Sequence, residues 1–251
     1  MEPDDARGPD QAPPPAPSGA SAIFGSQLEL AEAYVAHLAS TGVSHGLIGP
    51  REVPRLWDRH ILNCAVIHPA FDEDSSVADV GAGAGLPGMV LALTRPDLRV
   101  TLVEPLERRT RWLEHVARDI GLSNVVVRRG KAEQLWDDLS VDAVTSRAVA
   151  RLGELARLSL PLLRPQGRMV ALKGERAQVE VTEDADILRR LRVAETAIAT
   201  YGEGLVDPPT TVVALRVDGT SPRLRTPVGS GPALSAEKKR AKRAQRRSSQ
   251  L

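Results

Sequence analysis

A chain of 251 residues with 42% hydrophobic side chains holds enough apolar material for one α/β core of ordinary domain size. Its single cysteine, Cys64, excludes an internal disulfide and a cysteine-rich metal site, and His37, His45, His60, His68 and His115 show no ligand spacing such as H-E-x-x-H, so no metal is expected. The net charge of +1 is unevenly spread: Lys238, Lys239, Arg240, Lys242, Arg243, Arg246 and Arg247 stand in the last fourteen residues with no acid among them, which leaves −6 for the rest.

No apolar stretch reaches the roughly 18 residues of a membrane span, and no signal-peptide apolar region follows the N-terminus, so a cytoplasmic protein is expected. Residues 1–22, with Ala12-Pro-Pro-Pro-Ala-Pro17, carry too little apolar surface to order themselves and are expected to form a disordered tail. Residues 23–70 then read as a helical cap. Phe24, Leu28, Ala31, Val35 and Leu38 mark one helix face, and Val53, Leu56, Trp57, Ile61, Leu62, Ala65 and Val66 mark a second segment interrupted early by Pro54.

The core is expected over residues 71–218, and its most informative stretch is Val77-Ala-Asp-Val-Gly-Ala-Gly-Ala-Gly-Leu-Pro-Gly88. An apolar strand runs there into a glycine loop and then into Met89-Val-Leu-Ala-Leu93, a helix-forming segment. Gly81, Gly83 and Gly85 suit positive φ and close backbone approach to a ligand, with a helix N-terminus just behind. Two readings compete. Gly83 to Gly88 satisfies G-x-G-x-x-G, the frame of a dinucleotide-binding oxidoreductase. Asp79 to Gly85 instead gives the acidic-x-Gly-x-Gly-x-Gly loop of methyltransferases. Asp79 favours the second, because a carboxylate there repels a pyrophosphate but attracts a zwitterionic sulfonium ligand.

Arg99-Val-Thr-Leu-Val103 reads as the next strand and ends at Glu104, about twenty positions past the loop, where a carboxylate is placed to accept both ribose hydroxyls of an adenosine. The helix Glu107–Ile120 carries Trp112, Leu113, Val116 and Ile120 at helical spacing, with Arg108, Arg109, Arg111 and Arg118 as a solvated face. Further strands are expected at 124–128, 141–145, 168–172, 194–201 and 211–217. Ligands of open parallel sheets bind outside the strands' carboxyl ends, so Ala132, Glu133 and Arg147 join Gly81 and Glu104 on one rim, with Ala132 and Glu133 beside an adenine. Asp207-Pro-Pro-Thr210 lacks the aromatic of an amino-methylating loop and reads as the turn before the last strand.

Four stretches together are specific: Arg59-His-Ile-Leu62, Asp79 to Gly88, Leu102-Val-Glu-Pro-Leu-Glu-Arg-Arg109, and Thr145-Ser-Arg-Ala-Val149 with Leu172-Lys-Gly-Glu175. In these the chain resembles the RsmG family of bacterial small-subunit rRNA guanine-N(7) methyltransferases. The resemblance implies a Rossmann-like class I methyltransferase fold: a seven-stranded, mostly parallel sheet with helices on both faces, an N-terminal helical cap and a final antiparallel edge strand. It also implies methyl transfer from S-adenosylmethionine to a guanine of 16S rRNA in the small ribosomal subunit, by an enzyme expected to work as a monomer. Gly81, Leu86, Ala132, Glu133 and Arg147 are the cofactor positions it suggests, and His60 a substrate-side position. Asn63-Cys64 stands where relatives commonly have Asp-Ser, and Gly46-Leu-Ile48 where they have Asn-Leu-Thr.

Guanine N(7) carries a lone pair and no proton, so positioning suffices and no nucleophilic side chain is needed. Arg147 and Lys173, both just past strand ends, are expected to hold the guanine or its phosphates. Cys64, in a helix before the core, does not suit attack on a pyrimidine carbon. A nucleotide-binding oxidoreductase using the G-x-G-x-x-G frame and, less favoured because of the basic segment, a small-molecule methyltransferase on the same fold remain as alternatives. The basic segment near the C-terminus has no aromatic residues for base stacking and reads as an electrostatic RNA tether.

Overall fold

Seven strands form one sheet: β1 (Ser76–Val80), β2 (Arg99–Glu104), β3 (Val125–Arg129), β4 (Val141–Arg147), β5 (Leu163–Lys173), β6 (Val193–Tyr201) and β7 (Thr210–Val217), in the order β3-β2-β1-β4-β5-β7-β6. The structure is a computed structural model and describes residues 13–147 and 150–218; the basic segment 219–251 and the first twelve residues lie outside the described residues. Strands β1 to β5 pair in parallel, whereas β7 runs antiparallel to both β5 and β6. The final pair thus closes the sheet in antiparallel fashion, with β7 inside and β6 at the edge. Burial explains the placement: Val212, Val213, Leu215 and Val217 of β7 are buried, while most of β6 is exposed.

Side chains alternate across the sheet with the period of two that a strand imposes. Val77 of β1 and Val170 and Leu172 of β5 face one core, which α4 (Gly88–Thr94), α5 (Glu107–Asp119) and the cap cover. Ala78, Met169 and Ala171 face the other, covered by α6 (Leu152–Ser159), α7 (Ala177–Glu183) and α8 (Ala185–Arg190). Trp112, Leu113 and Val116 are buried on α5 as their spacing predicts, while Arg108, Arg111 and Arg118 are exposed.

The cap consists of α1 (Ala20–Phe24), α2 (Leu28–His37), wide turns at Leu38–Gly42 and Leu56–Leu62, a tight turn at Pro50–Arg55, and α3 (Asn63–Ala65). It has no separate core: Tyr34, Leu38, Leu56 and Ile61 sit in one continuous cluster with Met89, Leu91, Leu102 and Leu113. Order also begins earlier than composition predicts. Ala20 is buried, and the Trp57 indole N–H donates to the Pro14 carbonyl at 3.0 Å, so residues 13–22 have tertiary partners that a local compositional reading does not reveal. Asn63 ties the cap to β7: its side-chain oxygen accepts from the Thr210 hydroxyl at 2.6 Å.

Candidate cofactor and substrate site

β1 continues through α4 to β2 on one side of the sheet, whereas β4 continues through α6 to β5 on the other. The strand order reverses between β1 and β4, and ligands of such sheets bind outside the carboxyl ends of the strands at that point. The last residues of β2 and β4, Glu104 and Arg147, and the loops after β1 and β3, with Gly81 and Ala132, come to this end of the sheet, as expected from sequence.

Gly81, Gly83 and Gly85 have φ of 73°, 57° and 91°, all in the left-handed region. The backbone N–H groups of Gly81 and Ala82 donate to the Val103 carbonyl at 2.9 and 3.1 Å, and that of Gly83 donates to Glu104 Oε2 at 3.0 Å. The other oxygen of Glu104 accepts from the Leu106 N–H at 3.0 Å. Glu104 is only 2% exposed, so its carboxylate fastens the glycine loop to the end of β2. Each oxygen retains lone-pair capacity for a hydroxyl donor. Arg109, the arginine of α5 that departs from the solvated face, brings Nη1 to 3.8 Å from Glu104.

Asp79 is fully buried on the α4 side of β1. Its Oδ2 accepts from the Gly88 N–H at 2.8 Å, while Oδ1 has no partner. Burial pushes the carboxyl up to about 7, partly offset by the Gly88 N–H and the Arg147 charge, with Glu104 adding a smaller push upward. A buried acceptor without a donor is uncommon, and a cationic ligand group at Oδ1 would supply the donor. Gly88 makes this arrangement possible, because a Cβ there would stand 2.3 Å from Leu102 Cδ2 and 2.8 Å from Asp79 Oδ2.

Arg147, half-buried at the end of β4, donates to the Arg59 carbonyl at 3.3 Å and bonds His60 Nδ1 at 3.0 Å. The other ring nitrogen, His60 Nε2, is 3.0 Å from Glu52 Oε2. Both nitrogens of His60 are thus engaged inside the protein. Burial and the neighbouring Arg147 hold the imidazole below its ordinary range, against an upward pull from Glu52. Lys173 is similarly committed: its ammonium donates to the Ala150 carbonyl at 2.7 Å and to Glu180 Oε2 at 2.8 Å, bracing the chain after β4. Leu86 and Ala132 are buried, and Glu133 is exposed.

Tyr34 and Glu52 are absent from the sequence-derived set. Tyr34 lies with Ala31, Val35 and Leu38 on the stripe already traced along α2, so its burial follows from periodicity, though its hydroxyl donation to the Ala84 carbonyl at 2.6 Å does not. Glu52 gives no signal, as a lone acid in a turn normally faces solvent. These residues fit a small ligand with one cationic end, set against Asp79, and a hydroxyl-bearing end, set against Glu104.

The chain matches the GidB family, described as rRNA small subunit methyltransferase G, over residues 27–206. It belongs to that family. The ribosomal RNA small subunit methyltransferase G of Arthrobacter sp. strain FB24 is 54% identical over 199 residues, spanning 79% of this chain and 92% of that protein. The protein of the same name from Streptomyces avermitilis is 51% identical over 210 residues, spanning 83% and 88%. Among solved structures, an S-adenosylmethionine-dependent O-methyltransferase from Thermotoga maritima superposes with a TM-score of 0.50 at 17% identity, covering 66% of this chain and 70% of that one, a likeness of fold. Membership of the GidB family makes the chain a methyltransferase and sets the oxidoreductase reading aside. No helix among the described residues is long and apolar enough to cross a membrane.

Proposed function

We propose that this GidB-family chain transfers a methyl group from S-adenosylmethionine to N(7) of one guanine in 16S rRNA, in the cytoplasm. The observation that carries the cofactor assignment is the unpartnered Oδ1 of buried Asp79 beside the glycine loop. It suits the methionine ammonium, and Glu104 suits the ribose hydroxyls. Gly81, Gly83, Gly85 and Leu86 would line the ligand's path, with Ala132 and Glu133 beside the adenine. When bound, S-adenosylmethionine supplies an electrophilic sulfonium methyl.

The protein's own part is positional. Guanine N(7) needs no deprotonation, and aligning it with the methyl carbon in a site screened from water contributes about 7–11 kcal/mol by proximity and orientation. Arg147 would hold the guanine O6 or an adjoining phosphate, leaving N(7) free. Lys173 would act at one remove, its salt bridge to Glu180 steadying the segment that follows Arg147.

Small-subunit particles lacking the modification, incubated with protein and radiolabelled methyl donor, should acquire label on a single guanine at N(7), revealed by reductive strand cleavage. Label on another base, on a ribose, or none at all would overturn the reading.

A further inference from the structure

Arg147, His60 and Glu52 form a continuous chain of contacts from the end of β4 to the cap, and the middle member fixes its chemistry. A guanidinium has donors only, so the contact of Arg147 Nη2 with His60 Nδ1 at 3.0 Å requires that nitrogen to accept. Nδ1 must then be unprotonated, and in the neutral ring the proton must sit on Nε2. Nε2 faces Glu52 Oε2 at 3.0 Å, an acceptor that stabilises this placement. A ring with the proton on Nδ1, or with both nitrogens protonated, would turn an N–H against the guanidinium. The ionisable groups facing the imidazole are Glu52, Arg59 and Arg147.

We propose that Glu52 is a positioning residue: by holding the His60 proton on Nε2 it keeps Nδ1 as the acceptor that aims the Arg147 guanidinium at the space outside the strands' carboxyl ends. This rests on the reading of Arg147 as a substrate-side residue. Glu52 touches no substrate and acts only through the imidazole. Its carboxylate is about one third exposed, so its replacement need not disturb the core. Arg147 hydrogen-bonds only the Arg59 carbonyl and His60 among the described residues, so its remaining N–H groups are available to a ligand.

The experiment is a double-mutant cycle between Glu52 and Arg147, with kcat and KM measured on unmodified small subunits, S-adenosylhomocysteine affinity measured separately, and the His60 tautomer read from its 15N shifts. Glu52→Ala should lower kcat/KM about ten-fold and raise the population carrying the proton on Nδ1. Glu52→Gln, whose amide oxygen can still accept from Nε2, should recover most of the rate and the Nε2 tautomer. In an Arg147→Ala background, Glu52→Ala should have no further effect, because the two act as one unit. Loss of rate from Glu52→Ala that adds in full to that from Arg147→Ala, or an unchanged rate and tautomer, would overturn the relay while leaving Arg147 in place. Wild-type kinetics in Arg147→Ala itself would overturn both the relay and the role given to Arg147.

Discussion

The hydroxyl of Tyr34, on the second helix of the cap, donates to the carbonyl of Ala84 in the glycine loop at 2.6 Å, joining two residues fifty positions apart in a wholly buried contact. Burial pushes the Tyr34 phenol well above its ordinary range, which favours the protonated, donating form. Tyr34→Phe leaves the Ala84 carbonyl without this donor, which costs about 1–3 kcal/mol. Urea unfolding should show that loss, and S-adenosylhomocysteine titration should show weakened binding, as the loop is less firmly held. An unchanged affinity would mean that the loop keeps its shape without the tyrosine.

Gly85 should not tolerate a side chain. At φ of 91° a Cβ would lie 2.4 Å from Met89 Cγ, 3.0 Å from Tyr34 Oη and 3.1 Å from Leu113 Cδ2. Gly85→Ala combines left-handed backbone strain with overpacking and is expected to destabilise the protein by about 2–5 kcal/mol. Chemical denaturation of the variant measures this directly.

Asp79 is expected to make stability depend on pH, and cofactor binding as well where the ligand's cationic group meets its Oδ1. Its folded-state pKa, about 7, is above its unfolded value, so the native state retains a proton that the unfolded chain has lost, and stability falls as pH rises from the ordinary carboxylate range to about 7. The size of the effect is on the order of a few kcal/mol. Asp79→Asn should therefore compare more favourably with wild type at pH 8 than at pH 5. A cationic ligand group at Oδ1 draws the carboxyl back down, so binding near pH 6 should release close to one proton and binding near pH 8 almost none. Calorimetry in buffers of different ionisation enthalpy counts that proton, and Asp79→Asn should abolish its release together with most of the affinity.

The basic segment makes a prediction from charge alone. Removing residues 235–251 deletes seven cations. If they neutralise rRNA phosphates, the slope of log affinity against log salt should become shallower by about 0.7–0.9 for each phosphate that the truncated chain leaves to its counterions. Filter binding of full-length and truncated protein across a salt series gives both slopes, and equal slopes would eliminate the tether.

Much of this architecture is legible in the sequence because it rests on local pattern. The parallel strands and α5 follow from apolar periodicity, and the glycine loop from residues whose positive φ narrows the choice to glycine. The position of Glu104 at the end of β2 also follows, but not its orientation, since its bonds to Gly83 and Leu106 depend on how the loop folds back over the strand. Asp79 reads in the sequence as an acid suited to a cationic group, whereas its missing partner is a fact of packing. The commitment of Lys173 to Glu180 and the link from His60 to Glu52 join side chains whose meeting no spacing rule encodes. The interior place of β7 is equally hidden, because strand order depends on which apolar face finds the better cover.

The shared core of cap and sheet has a consequence for how activity disappears on heating. With Tyr34, Leu56 and Ile61 in the same cluster as Met89, Leu102 and Leu113, the cap cannot melt as an independent foldon. Thermal inactivation should coincide with global unfolding, and a proteolytic fragment starting at residue 71 would be left with one wall of its interior open to water.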